Sequence, residues 1–215
     1  LWLKDISPKT YRHIPFIMNR LAGCAEVRRN TKTVAVQAQA EIPMLFSQIR
    51  QPDADYILVP ETSSSARKYI PMGFMSSDVI ASNSTLVASG ATLDLFAVMT
   101  SKVHMYWMKV VCGRLKSDYR YSPSIYNNFP WPTLSDSQKE KIGKTAQAIL
   151  DARNLYPECS LADLYDEVTM PPELRKAHQA NDKAVMEAYS FDPSMDESQI
   201  VAELFKMYKE LTAEN

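Results

Sequence analysis

Apolar and polar positions follow two different periods along this chain. Tyr56-Ile57-Leu58-Val59 is a short β-prone run closed by Pro60. Lys68 to Met75 is a second, and its Pro71 points to an edge or a bulge. Asp78-Val79-Ile80-Ala81 and Thr85-Leu86-Val87-Ala88 make a third and a fourth, with Ser, Asn and Gly between the runs as turns require. Together they predict a small antiparallel sheet. From Thr92 the apolar residues Leu93, Phe96, Ala97, Met99, Val103, Tyr106, Trp107, Val110 and Val111 recur at helical spacing. That predicts one long amphipathic helix over 92–112, about five turns. Gly113 is its expected left-handed terminator. Residues 114–134 lose the period and carry Pro123, Pro130 and Pro132. A stretch of about twenty irregular residues is uncommon in a compact domain unless it binds something.

The two ends read differently. Residues 1–35 mix Pro8 and Pro15 with basic residues, and Ile17 to Ala22 predicts a short helix ending near Gly23. From Ser135 the chain is helical. Ser135 with Gln138 reads as a capping box for a helix to about Asn154. Pro171-Pro172 suits a helix start, with the helix running to about Tyr189. Ser194 with Glu197 reads as another capping box, for a helix to about Thr212. The expected fold is therefore α+β: a small antiparallel sheet packed with a long helix, followed by an all-α region. The expected division is 1–134 and 135–215.

Composition changes this picture little. Hydrophobic residues are 46% and charged residues 23% of 215, so disorder is not expected. No apolar run is long enough to predict a membrane-spanning helix. Cys24, Cys112 and Cys159 are odd in number and far apart. That argues against a disulfide framework or a zinc site and for a reducing cytoplasm. The start, Leu1-Trp2-Leu3-Lys4, has neither an initiator Met nor a signal-peptide layout, so the chain reads as part of something larger. Charge adds more. Residues 1–135 carry 15 Lys+Arg against 9 Asp+Glu, and residues 136–215 carry 9 against 16. The basic part suits a polyanion. The acidic part suits a solvated helical surface.

Catalytic motifs are absent. There is no G-x-G-x-x-G, Walker loop, H-E-x-x-H or G-x-S-x-G. His13, His104 and His178 stand alone, and His104 reads as a packed residue of the long helix. The informative segment is Gly113-Arg114-Leu115-Lys116-Ser117-Asp118-Tyr119-Arg120-Tyr121-Ser122. If extended, it puts Lys116, Asp118 and Arg120 on one face at ~6.6 Å intervals, and Leu115, Tyr119 and Tyr121 on the other. Cation, anion, cation on one ribbon suits base edges, since Lys or Arg donates to guanine and Asp accepts from cytosine N4. A surface charge pair between Lys116 and Asp118 explains the same spacing. Arg67, Lys68, Lys102, Lys109 and Arg114 are candidate phosphate contacts. Ser63, Ser64, Ser65, Ser82, Asn83 and Ser84 are small polar groups able to approach bases or phosphates.

Cys112 to Ser122, followed by Tyr126-Asn127-Asn128-Phe129-Pro130-Trp131-Pro132, resembles the target-recognition segment of MmeI-like enzymes. These are single-chain type IIG (IIL) restriction–modification proteins. Leu1 to Arg12, Val59-Pro60 through Tyr69-Ile70-Pro71-Met72-Gly73-Phe74, and Thr169 to His178 resemble other parts of the same family. The resemblance implies a target-recognition domain over 1–134, with 1–35 a lead-in from a methyltransferase domain, and a C-terminal helical region over 135–215. It implies double-stranded DNA and the parent's own methyltransferase domain as partners. For the parent it implies adenine-N6 methylation with S-adenosylmethionine and a Mg2+-dependent nuclease. No cofactor is expected in this part, because neither N-P-P-[YF] nor a nuclease carboxylate–lysine motif occurs here. Carried over, the base-reading positions are Lys116, Asp118 and Arg120, with Ser84 on an upstream strand. Backbone contacts are expected from Arg67, Lys68, Lys102, Lys109, Arg114 and Ser64. The alternative is a helical protein-interaction module that makes no direct DNA contact.

Overall fold

The computed structural model describes residues 1–213. Residues 214 and 215, the end of the expected helical region, lie outside them. The chain forms two compact units, Leu1–Gln51 and Pro52–Asn215.

The first unit is helical. It contains α1 (Pro8–Tyr11), α2 (Pro15–Arg29) and α3 (Val34–Gln37), followed by a 3₁₀ turn over Ala38–Glu41. Pro8 and Pro15 each sit in a helix's first turn, where no amide donor is needed. The expected stop at Gly23 does not occur. Helix α2 runs through it, because one glycine weakens a helix without ending it. Arg28 is buried and donates to the carbonyls of Gln39, Ile42 and Leu45 at 2.9, 2.9 and 2.7 Å. One guanidinium thus gathers the turn after α3. Leu3, Tyr11 and Leu21 form this unit's small core.

The second unit is α+β, as expected, but with two small sheets in place of one. The first has antiparallel order β3-β1-β4, from β1 (Tyr56–Pro60), β3 (Gly73–Met75) and β4 (Thr85–Ser89). Central β1 buries Tyr56, Ile57 and Val59, as a strand covered on both faces must. Only Gly73–Met75 of the Lys68–Met75 run pairs, and Asp78–Ala81 forms a turn region and no strand. The second sheet has order β2-β6-β5, from β2 (Thr62–Ser63), β5 (Gly113–Leu115) and β6 (Asp118–Arg120). Glu61 joins the two sheets. Its N–H donates to Ser84 and its carbonyl accepts from Tyr121 N–H, at 3.1 and 2.8 Å.

The long helix is two helices, α4 (Leu93–Met99) and α5 (Lys102–Val111). Ser101 ends the first and caps the second. Its hydroxyl donates to the Val98 carbonyl and accepts from His104 N–H. Gly113 does not terminate α5 in a left-handed conformation; Cys112 is already extended, and Gly113 opens β5. After β6 come α6 (Pro123–Asn127), α7 (Asp136–Asn154), α8 (Leu161–Leu164), α9 (Pro172–Ala188) and α10 (Glu197–Ala213). The Ser135–Gln138 capping box is present. The expected Ser194–Glu197 box is instead Asp196–Gln199, whose amides and side chains bond reciprocally at 2.9 Å. Ser194 turns to Asp192.

A continuous core runs from Ile57 to Leu204, so α4, α5, α7, α9 and α10 share it with both sheets. The break between α4 and α5 is served by α9. Asn181 donates to the freed Ala97 carbonyl at 2.8 Å, and Asp182 accepts the Lys102 N–H at 2.7 Å. Tyr69 stacks on His178 of α9 and donates its hydroxyl to Asp182 at 2.7 Å. Tyr165 joins His178 at 2.6 Å and accepts from Arg153. All of these residues except Lys102 are buried. Among the described residues no helix is long and apolar enough to cross a membrane.

Candidate nucleic-acid interface

The predicted extended ribbon is a β-hairpin. Strands β5 and β6 pair as Gly113↔Arg120, Arg114↔Tyr119 and Leu115↔Asp118, leaving Lys116-Ser117 as a two-residue turn. Lys116 has φ +56° and Ser117 is not positive, the sign pattern of a type II′ turn. That turn twists with the flanking strands, so it folds a segment which strand propensity alone leaves straight.

The fold changes which side chains share a face. On β6, Tyr119 points inward and is buried, while Asp118 and Arg120 point outward. Lys116 is exposed at the tip instead of in line with them. Leu115 opposes Asp118 in the register and is 52% exposed, so it lies on the outward face. The expectation that it anchors with the tyrosines is overturned, because the turn reverses the chain between them. Tyr119 and Tyr121 are the anchors. The Tyr121 hydroxyl lies 2.8 Å from His104 Nε2. Burial pushes the Tyr121 phenol up and holds the His104 imidazole down at about 3, so this tie joins two neutral groups near neutral pH.

The outward groups of β6 take polar partners from neighbouring segments. Arg120 donates from Nε and Nη2 to Glu61 Oε1 at 3.1 and 2.8 Å. Asp118 Oδ1 accepts from Ser65 N–H at 3.2 Å. Ser64 accepts from Ala66 N–H and Arg67 N–H, which closes the turn after β2. Ser84 enters through Glu61 N–H. It sits in the turn just before β4, not on the strand itself, with its hydroxyl 2.9 Å from that of Ser82. Glu61 is the member that sequence reasoning passed over. The available signal was its place directly after a strand-ending proline, at the junction of two strands.

The candidate phosphate contacts are scattered. Arg114 lies against Tyr119 at the hairpin. Arg67 reaches the Ala162 carbonyl at 3.5 Å, and Lys68 pairs with Glu167 at 2.6 Å. Lys102 opens α5, and Lys109 near its end pairs with Glu197 at 3.0 Å. Lys102 and Lys109 lie outside the hydrogen-bonded groups around β6. Among the described residues no group of three His, Cys, Asp or Glu side chains is placed to hold a metal ion.

Comparison with known proteins bears on the family and the fold. Residues 1–133 match the family model "MmeI, target recognition domain", and residues 134–214 match "MmeI, C-terminal domain". The chain is 36% identical over 213 residues to DNA methyltransferase A of Bacillus subtilis (strain 168), covering 99% of this chain and 24% of that protein. Its fold superposes with a TM-score of 0.95 on the type IIL restriction-modification enzyme MmeI, solved in complex with DNA, at 43% identity. That match covers 99% of this chain and 29% of the other. The chain thus spans about a quarter of the length of the relatives it matches.

Proposed function

We infer function from one premise: the chain belongs to the MmeI family, with both its target recognition and its C-terminal domains represented. It recognises a specific sequence in double-stranded DNA on behalf of a larger restriction–modification methyltransferase. The β5–β6 hairpin is the observation that carries this reading. A two-stranded ribbon fits the major groove of B-DNA, about 12 Å wide. This ribbon carries an exposed ammonium at its tip and a carboxylate and a guanidinium on its outward face. Strand β6 stands on buried Tyr119, and Tyr121 just after it is buried too, so the tips are held without help from DNA.

Lys116 and Asp118 together read one G·C pair, the lysine donating to guanine and the aspartate accepting from cytosine. Arg120 and Ser84 address neighbouring positions. Arg120 must leave Glu61, or share it, to do so. Arg67, Lys68, Lys102, Lys109 and Ser64 contact the phosphate backbone, and Lys68 and Lys109 exchange a glutamate for a phosphate on binding. Residues 1–134 form the recognition domain and 135–215 its helical brace. The parent methylates adenine N6 with S-adenosylmethionine and, with Mg2+, cleaves DNA. It works in the cytoplasm, with this part seated on its methyltransferase domain. Those cofactors belong to the rest of the parent.

The test is a charge exchange. In the parent protein, Lys116→Glu with Asp118→Arg turns the selected pair from G·C to C·G while the other positions hold. Sequencing the bound or modified sites measures it. An unchanged site removes the assignment. Absence of any duplex binding at low salt favours the interaction-module alternative.

A further inference from the structure

Arg114 differs from the other cations near the hairpin. Its cross-strand neighbour is Tyr119, and its guanidinium carbon lies 4.1 Å from the centre of that ring. Its Nη1 donates to the Ser117 carbonyl at 3.1 Å. Tyr119 is itself buried, so the guanidinium is pinned to a fixed ring. The carbonyl it holds belongs to the second residue of the turn. The first, Lys116, has φ +56°, a region that a residue with a full side chain rarely adopts without support. Neither central residue is the Gly, Asn or Asp that such turns favour. The turn's support therefore comes from outside the turn.

Resting on the base-reading role given above, we propose that Arg114 is a positioning residue for base selection: braced on Tyr119, it holds the Ser117 carbonyl and so aims the Lys116 ammonium. It does not neutralise a phosphate. Only a planar guanidinium can lie flat on the ring and donate from its edge at once; an ammonium has neither property. Lysine in its place keeps the charge and loses the brace.

The experiment uses the full-length parent protein and a panel of duplexes substituted at each target base pair. Lys116→Ala locates the pair that Lys116 reads. Arg114→Ala and Arg114→Lys both lose discrimination at that same pair, roughly tenfold, and keep it elsewhere. Their salt slopes match the wild type, and hydrogen exchange over residues 113–121 quickens by roughly tenfold. The proposal is overturned if Arg114→Lys selects like the wild type and Arg114→Ala lowers the salt slope by about one, since that is a phosphate contact. If Lys116→Ala alters no base preference, the reading of Lys116 is what fails. The brace is then judged by exchange alone: unchanged protection in Arg114→Ala overturns it, and faster exchange upholds it.

Discussion

The hairpin face and the break between α4 and α5 use the same materials to opposite ends. Each has a carboxylate accepting a backbone N–H from a distant segment: Asp118 from Ser65, and Asp182 from Lys102. Each has a second acid–donor pair: Glu61 with Arg120, and Asp182 with Tyr69. The difference is water. The Arg120 and Glu61 side chains are 56% and 30% exposed, whereas Asp182 is 6% exposed. A solvated pair gives up little when it is broken, so its members are free to exchange partners. A buried acceptor cannot replace its partners with water, so its loss strands them. The comparison teaches that exposed bonds leave groups free to exchange partners, while the buried ones hold the frame.

The largest expected effect tests the buried side. Asp182→Ala leaves Lys102 N–H and the Tyr69 hydroxyl without their acceptor and costs about 3 kcal/mol in denaturant unfolding. A loss under about 1 kcal/mol would erase the contrast with the hairpin.

Next in size is a pH effect. Burial holds the imidazoles of both His104 and His178 at about 3. Between that value and the unfolded value near 6.5, the unfolded chain binds more protons than the folded one. Stability is therefore fully present above about pH 6.5 and falls as pH drops, by at most about 1.4 kcal/mol per pH unit for each histidine. Burial raises the Asp182 carboxyl, which acts in the opposite sense in the acid range. Thermal unfolding from pH 7 to pH 5.5 checks this. His104→Gln should flatten the slope, and a slope equal to the wild type would remove His104 from the account.

The smallest expected effect lies on the exposed side. Glu61→Gln changes stability by less than about 1 kcal/mol, because the pair it breaks is solvated. It frees Arg120, so duplex affinity at low salt should rise and its salt dependence should steepen. A large loss of stability would show that the Glu61 junction belongs to the frame.

Some of this was legible in the chain. The Ser135–Gln138 box marked α7, and Pro171-Pro172 marked the start of α9. The tyrosines of Tyr119-Arg120-Tyr121 were readable as anchors, and the charged Arg120 between them as exposed. The break at Thr100-Ser101 was harder to see. Ser101 is a good capping residue, but the apolar period continues across it, and only α9 supplies partners for the freed backbone groups. The hairpin was missed for a related reason. Lys116-Ser117 lacks the glycine or asparagine that announces a two-residue turn, and Arg114 supplies the missing support from the neighbouring strand.

Local order and chemistry were therefore determined by the sequence alone in part: where α7 and α9 begin, where charge gathers, and which ten residues carry the polar tips. Caps, proline positions and apolar periods act over a few residues, so a linear reading can find them. The tertiary structure decided the directions. It folded the tips into a hairpin, set Leu115 beside Asp118, and brought Glu61 to Arg120 across 59 positions. Those outcomes depend on pairing between segments far apart in the chain, and a residue's own neighbours in sequence carry no record of which distant group will satisfy it.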